Sequence, residues 1–340
     1  MNSKTYHPLV QLTLSFVLLG IPCQLSAQDQ AAATPATKTI IEPQIKAANA
    51  QPIKHRVLCC GKQTYILEED GTQSWTYPSS TRDGYVLENG KILLTLSKSK
   101  KHKGGAVILI DPANNEETLV WKGTQAEVNG AQPTPTGTFV LTEAGEKPRL
   151  LEINQAGDIQ VEFALKCQKK RKHMQTRMAR KLSDATYLVP HLLDFAVFHY
   201  DGQGNVLAKF DTTVKGDDKH EIHSWPFTAI RKDDGNTVVC MTHSNRVAEF
   251  DPEGKIVWQL SNDDLPEKLL HDPCGAQVLP NGNLVIASYA APRHDKNSPK
   301  MFEVNRDKQV VWKYVAPNVS GVHHFQILTT DGQRISQPNK

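Results

Sequence analysis

Two kinds of tight turn alternate along this chain, and their alternation leaves few folds open. Residues 247–289 contain VAEF, a DPEG turn and KIVWQL, then AQVL, a PNG turn and NLVIASY. Asp251-Pro252-Glu253-Gly254 and Pro280-Asn281-Gly282 supply the residues that tight hairpins need. Two hairpins in succession make four short antiparallel strands. The same order recurs along the chain, as in ILEEDGTQSWTY (66–77) followed by GYVLENGKILLTL, and MFEVNRDKQVVWKY (301–314) followed by HHFQILTTDG. With Asp70, Asp111, Asn154, Asp201, Asp251 and Asn305 as markers, the spacings are 41, 43, 47, 50 and 54 residues. Repeats of this length, each with two hairpins, predict an all-β, six-bladed propeller of four-stranded antiparallel blades. A β-sandwich would not require the two turn types to keep their order in every repeat.

Labelling the strands a to d from the axis outward, the PNG-type hairpin is a–b and the DPEG-type hairpin is c–d. The chain enters the ring on a b strand at 55–61 and leaves it on an a strand at 324–329. The last blade is therefore expected to be closed by strands from both termini, which removes exposed sheet edges. Both hairpins fall on one face. The b-to-c and d-to-a connections fall on the other, the top, and include the long stretches 97–105, 165–176, 211–226, 261–273, 290–299 and 315–323. Long loops on a rigid scaffold are where binding sites tend to be built.

Residues 1–27 read as an export signal, with Lys4 ahead of an apolar run at 12–22 that is too short to span a membrane, and Leu25-Ser26-Ala27 as a cleavage site. Residues 28–52, rich in Ala, Gln, Thr and Pro, read as a disordered linker before a propeller at 53–340. The expectation is an exported, periplasmic or secreted monomer with no transmembrane segment after cleavage. Five cysteines follow the signal, without zinc spacing. Cys59 and Cys60 are adjacent in a strand, where neighbours face opposite ways, which argues against a vicinal disulfide.

The net charge of +3 names no partner by itself, and no nucleic-acid partner is expected. Clustering is more informative. Of 13 histidines, His102, His173, His191, His220, His223, His243, His271, His294, His323 and His324 fall in or beside top connections. His173, His223, His271 and His323 just precede a strands, so they are candidate catalytic residues. His223, His271 and His323 are also candidate ligands for a transition metal. Lysines at 98–103 and 166–172 enrich the same face. Arg177 and Arg180 enter a channel strand, where a guanidinium offers a planar fork to carboxylate, sulfate or phosphate. Trp225 at the mouth, and Gln132 and Gln277 at matching places in channel strands, complete a candidate ligand-binding set. Trp75, Trp121, Trp258 and Trp312 sit in d strands and are read as packing between blades.

No nucleophile elbow, P-loop, HExxH or Rossmann motif is present. The DPxGxxVW and LPNGN hairpins, with His before the channel strand, resemble the PQQ-like propeller superfamily, and most fully its arylsulfotransferase-like branch. That resemblance implies an exported bacterial propeller. It also implies that one of His173, His223, His271 or His323 carries a sulfuryl group while Arg177 binds sulfate. The chain is shorter than those enzymes. With six blades rather than eight and no calcium-ligand set, pyrroloquinoline quinone is not expected, nor is another cofactor beyond a transition metal. The favoured role is binding of an anionic small molecule or acidic glycan at the top face. The alternatives are a sulfotransferase-like or glycan-degrading enzyme using channel His and Arg177, and a His-ligated metal protein.

Overall fold

Six antiparallel sheets stand around one axis in a computed structural model that describes residues 54–168, 171–213, 224–336 and 339–340. The expected signal and linker (1–52), His220 and His223 lie outside these residues. Five blades are contiguous in sequence. Their axial strands are Thr81–Val86, Glu127–Pro133, Arg180–Lys181, Trp225–Arg231 and Pro273–Val278. The sixth takes its axial strand from Val322–Thr330 and its outer strands from His55–Gly61, Thr64–Leu67 and Gln73–Tyr77. Val57 faces Ile327, Cys59 faces Phe325 and Cys60 faces His324 across the closing pair. A short strand, Gln333–Arg334, is added on its axial side. The six-bladed, antiparallel architecture read from the turns is thus observed. The turns work as expected: Gly90, Gly137, Gly235, Gly254 and Gly282 all have φ between 80° and 87°, the left-handed region where a Cβ is costly.

Blades pack face to face through alternating apolar residues. Leu58, Cys60, Ile66 and Trp75 of the sixth blade meet Ile92, Leu94, Ile108 and Ile110 of the first, all buried. Cys59 points the other way, into a cluster with Val285, Ala287 and Met301. The two cysteines therefore serve different interfaces, and all five described cysteines are unpaired and buried.

The d-strand tryptophans reach across to the next blade. Trp75 Nε1 donates to Asn115 Oδ1 at 2.8 Å, Trp121 Nε1 to Glu143 Oε1 at 3.1 Å, and Trp258 Nε1 to the Arg306 carbonyl at 3.1 Å. Trp312 packs edge-on against His55, with ring centroids 4.7 Å apart. Buried glutamates add charged stitches between blades. Glu152 takes Lys181 at 2.8 Å and the Tyr187 hydroxyl at 2.6 Å, and Glu249 takes Arg306 at 2.6 Å.

At the axis the strands come very close. A Cβ on Gly130 would lie 2.7 Å from Met178 Sδ and 3.2 Å from Asp83 Oδ2, so a larger residue there requires the Met178 side chain to shift. The centre is a packed column with an opening at the top rather than a wide pore.

Candidate functional site at the channel mouth

The axial strands share an irregularity near their top ends. Register shifts fall between Thr81 and Asp83, Val128 and Ala131, Pro226 and Thr228, and Pro273 and Ala276. In the sixth blade Cys60 pairs with His324 and Gly61 with Val322, which skips His323. A bulge re-aims the unpaired residue and ends regular pairing. The residues at this level are Arg82, Asn129, Arg177, Phe227, Cys274 and His323. Each stands eight positions before a left-handed turn residue: Gly90, Gly137, Ala185, Gly235, Gly282 and Asp331. The propeller thus presents a ring with one side chain from each blade.

Five of these six residues line a cavity of about 310 Å³ at the channel mouth, together with His173, Trp225, His243, Asp272 and Tyr289. Its electrostatics centre on Glu127, a buried carboxylate one strand position above the bulge. Glu127 accepts from Arg82 Nη2 at 2.8 Å and from His173 Nδ1 at 2.9 Å, and lies 3.7 Å from Arg177 Nη1. Burial pushes the Glu127 carboxyl up, but the bond to His173 and the charges of Arg82 and Arg177 outweigh it and hold it below its usual range. Burial, reinforced by Arg82, pushes Arg177 down to about 10, with Glu127 opposing. Two guanidiniums therefore share one carboxylate.

Their satisfaction is incomplete. Arg177 Nη1 donates to the Thr176 carbonyl at 2.7 Å and the guanidinium lies 5.4 Å from the Phe227 ring centroid. The Nε atoms of Arg82 and Arg177, and both polar atoms of the Asn129 amide, are buried without a hydrogen-bond partner among the described residues. Buried donors of this kind are costly unless something accepts from them.

His323 is held on three sides. Its Nδ1 is 2.9 Å from the Arg82 carbonyl, and its ring stands edge-on to Phe227 and Tyr289 at 4.9 and 5.5 Å. A carbonyl only accepts, so Nδ1 carries the proton and Nε2 keeps its lone pair on a ring that lines the cavity. Burial, with Arg82 and Arg177 nearby, pushes His323 down to about 3, so it is neutral at physiological pH.

The other residues singled out in the sequence are divided by the structure. Arg177, His173, His323 and Trp225 meet at the cavity, with Trp225 tilted against His243 at 3.9 Å between centroids. His271 sits outside it, stacked on His294 at 4.2 Å and bonded to the Lys268 carbonyl at 2.9 Å. His191 is a core residue, enclosed by Asp194, Tyr200 and Phe198. Among the described residues, His191 and His271 therefore do not join His173 and His323 at the cavity. Arg180 lies deeper on the axis, 3.6 Å from Asp83.

Gln132 and Gln277 prove to be stitches between axial strands, which among the described residues pair directly only at an isolated bridge, Met178 with Thr228. Gln132 Oε1 accepts from the Lys181 amide at 2.6 Å. Gln277 Oε1 accepts from Ile327 N at 2.8 Å while its Nε2 donates to Ile327 O at 3.3 Å. Gln326, unremarked in the sequence, does the same for Val86 N at 2.7 Å. Glu127 and Asn129 were also missed. Counting back from each turn glycine would have found Asn129, whereas Glu127 gave no repeat signal.

Among the described residues no three His, Cys, Asp or Glu side chains are grouped to hold a metal, and no helix is long and apolar enough to cross a membrane. A larger hollow of about 490 Å³ at the blade rim, lined by Lys147, Arg149 and Lys172, has its main charges matched, Arg149 with Glu143 at 2.8 Å and Glu162 at 2.6 Å.

No protein-family model matches the sequence, and no curated protein matches it. Solved structures do resemble the fold. A protein of unknown function from Bacteroides caccae matches with a TM-score of 0.67 at 19% identity, covering 80% of this chain and 98% of that one. A catalytically inactive histidine-to-alanine variant of virginiamycin B lyase from Staphylococcus aureus, with quinupristin, matches at 0.53 and 13% identity over 75% and 78% of the two chains. Regucalcin from Agrobacterium tumefaciens, described as calcium-binding, matches at 0.53 and 13% over 75% and 85%. At these identities the likeness establishes the β-propeller fold alone.

Proposed function

We propose that this chain is a propeller that binds an anionic ligand in the channel-mouth cavity, the anionic group resting on Arg82 and Arg177. The observation that carries this reading is the pair of buried guanidiniums that share one carboxylate, Glu127, and keep unpartnered Nε–H donors. A sulfate, phosphate or carboxylate supplies the missing acceptors and charge. At about 310 Å³ the cavity is of the size that takes a small ligand. Trp225, Phe227 and Tyr289 offer flat apolar surface for an aryl group or sugar ring attached to that anion. With residues 1–27 read as an export signal, the proposal extends to a ligand met outside the cytoplasm. Calorimetry with 4-nitrophenyl sulfate, against 4-nitrophenol and glucose as neutral controls, tests the reading. Saturable binding of the sulfate ester alone, weakened at least tenfold by Arg177→Gln, is expected. Equal binding of ester and phenol contradicts it.

A second reading, sulfuryl transfer of the arylsulfotransferase-like kind, is favoured by one observation. The His323 ring lines the same cavity as Arg177, and its bond to the Arg82 carbonyl fixes the tautomer that leaves Nε2 its lone pair. In that reading Nε2 attacks the sulfur, the aryl–oxygen bond to sulfur breaks, and the phenolate leaves with the electron pair. Release of 4-nitrophenol by the native chain and its loss in His323→Gln test this step.

A further inference from the structure

Beneath the mouth, the axis holds a second constellation that the anion site does not use. The side chain of Lys340 is fully buried there. Its ammonium lies 2.7 Å from the Gly84 carbonyl and 3.1 Å from Asp83 Oδ1, both acceptors, with His324 Nδ1 3.4 Å away. The Tyr85 ring centroid is 3.8 Å from Nζ, within the range of a cation–π contact. Arg180 Nε donates to the Lys340 main-chain oxygen at 2.6 Å. Asn339 fastens the segment at the lower rim: its carbonyl accepts from Val278 N at 2.9 Å, and its amide donates to the Arg231 carbonyl at 3.2 Å. Residues 339–340 thereby touch the axial strands or channel residues of five blades.

Burying an ammonium costs several kcal/mol unless its partners are good. Here a buried carboxylate, a carbonyl, an imidazole and an aromatic face converge on it. A simple steric plug has no need of such chemistry. We propose that the lower channel is a binding site for a primary alkylammonium, which Lys340 occupies in cis, so that residues 339–340 act as a built-in plug. A lysine side chain or linear amine arriving in trans competes with a tethered occupant, whose effective concentration is on the order of millimolar. The site is therefore available to such ligands when Lys340 is withdrawn.

The experiment uses the full chain with Lys340→Ala, which vacates the seat, and n-butylammonium, which matches the missing side chain. Melting temperature is followed at constant ionic strength with n-butylammonium, tetramethylammonium or sodium chloride. The variant is expected to melt at least about 5 °C below the native chain. It regains part of that loss saturably with n-butylammonium alone, and the native chain does not respond. A folded Lys340→Ala that shows no preference for n-butylammonium over tetramethylammonium overturns the proposal. Lys340→Met, which keeps the stem without the charge, gives an independent result where the alanine variant does not fold. The proposal expects it to melt below the native chain and to ignore n-butylammonium, and equal or greater stability overturns the proposal.

Discussion

Replacing Glu127 with glutamine is expected to weaken the fold and tighten the anion site at once. Glu127 is 1% exposed and faces guanidinium nitrogens at 2.8 and 3.7 Å. Removing one partner from a buried ion pair typically costs about 3–5 kcal/mol. Glutamine keeps an acceptor oxygen for Arg82, so the lower end, about 3 kcal/mol, is the expected loss. The same change lifts the repulsion that Glu127 exerts on an incoming anion. Two unit charges about 4 Å apart interact by roughly 4 kcal/mol at an effective dielectric near 20. A third of that, about 1.4 kcal/mol, already lowers Kd tenfold. Ligand at about 100 times its Kd returns about 2.7 kcal/mol of apparent stability. Urea unfolding of the native chain and of Glu127→Gln, in sulfate and in chloride of equal ionic strength, reads both effects. Sulfate also stabilises proteins generally by exclusion from their surfaces, so the double variant Glu127→Gln/Arg177→Gln sets the baseline. The expected result is a destabilised single variant that recovers more stability in sulfate than either the native chain or the double variant. Equal sulfate effects in all three refute the reasoning.

Further outcomes follow from the same geometry. Gln277→Leu leaves the Ile327 N–H and carbonyl without their stitch, at about 1–3 kcal/mol for each buried group, so chemical denaturation is expected to show a loss of roughly 2–6 kcal/mol with anion affinity unchanged. Trp225→Ala is expected to weaken an aryl sulfate about fivefold, from the loss of about 1 kcal/mol of aromatic contact, and to leave inorganic sulfate unaffected by calorimetry. His323 is pushed down to about 3, chiefly by burial, so below about pH 6.5 the unfolded chain binds a proton that the folded chain does not, and stability falls as pH drops. Asp83 is held at about 2, with Lys340, His324 and Arg180 overcoming the upward push of burial, so its contribution is present above about pH 4 and is lost between about pH 4 and 2. Denaturation across pH 3–8 is expected to show both declines, and His323→Gln to flatten the limb between pH 6.5 and 4.

Much of this fold was legible because propeller turns carry their own chemistry. Asp251-Pro252-Glu253-Gly254 and Pro280-Asn281-Gly282 mark hairpins locally, and the order of the two turns fixes which strand is axial. The d-strand tryptophans were legible because a large aromatic in a repeated outer strand has only the neighbouring blade to pack against. Site residues were harder, since they are joined through space across repeats. Arg177 and His323 stood out by residue type. Glu127 did not, because its partners Arg82 and Arg177 lie 45 and 50 positions away and neither predicts a carboxylate between them. Gln132 and Gln277 misled for a physical reason: neighbouring axial strands leave main-chain groups unpaired at the axis, and a glutamine amide satisfies them. Nothing in the sequence near Lys340 announces that its ammonium reaches Asp83, 257 positions away.

The buried Nε–H groups of Arg82 and Arg177 lack an acceptor among the described residues, and nitrogen-15 NMR can observe them directly. Arginine Nε–H resonances of the labelled chain would be followed through a sulfate titration, with Arg82→Lys and Arg177→Lys supplying the assignments. Saturable shifts of the Arg82 and Arg177 signals, with solvent-exposed arginines such as Arg306 following only ionic strength, are the predicted result. Both signals remaining fixed through 100-fold excess sulfate and aryl sulfate, at about millimolar ligand or above, would contradict an anion site at the channel mouth.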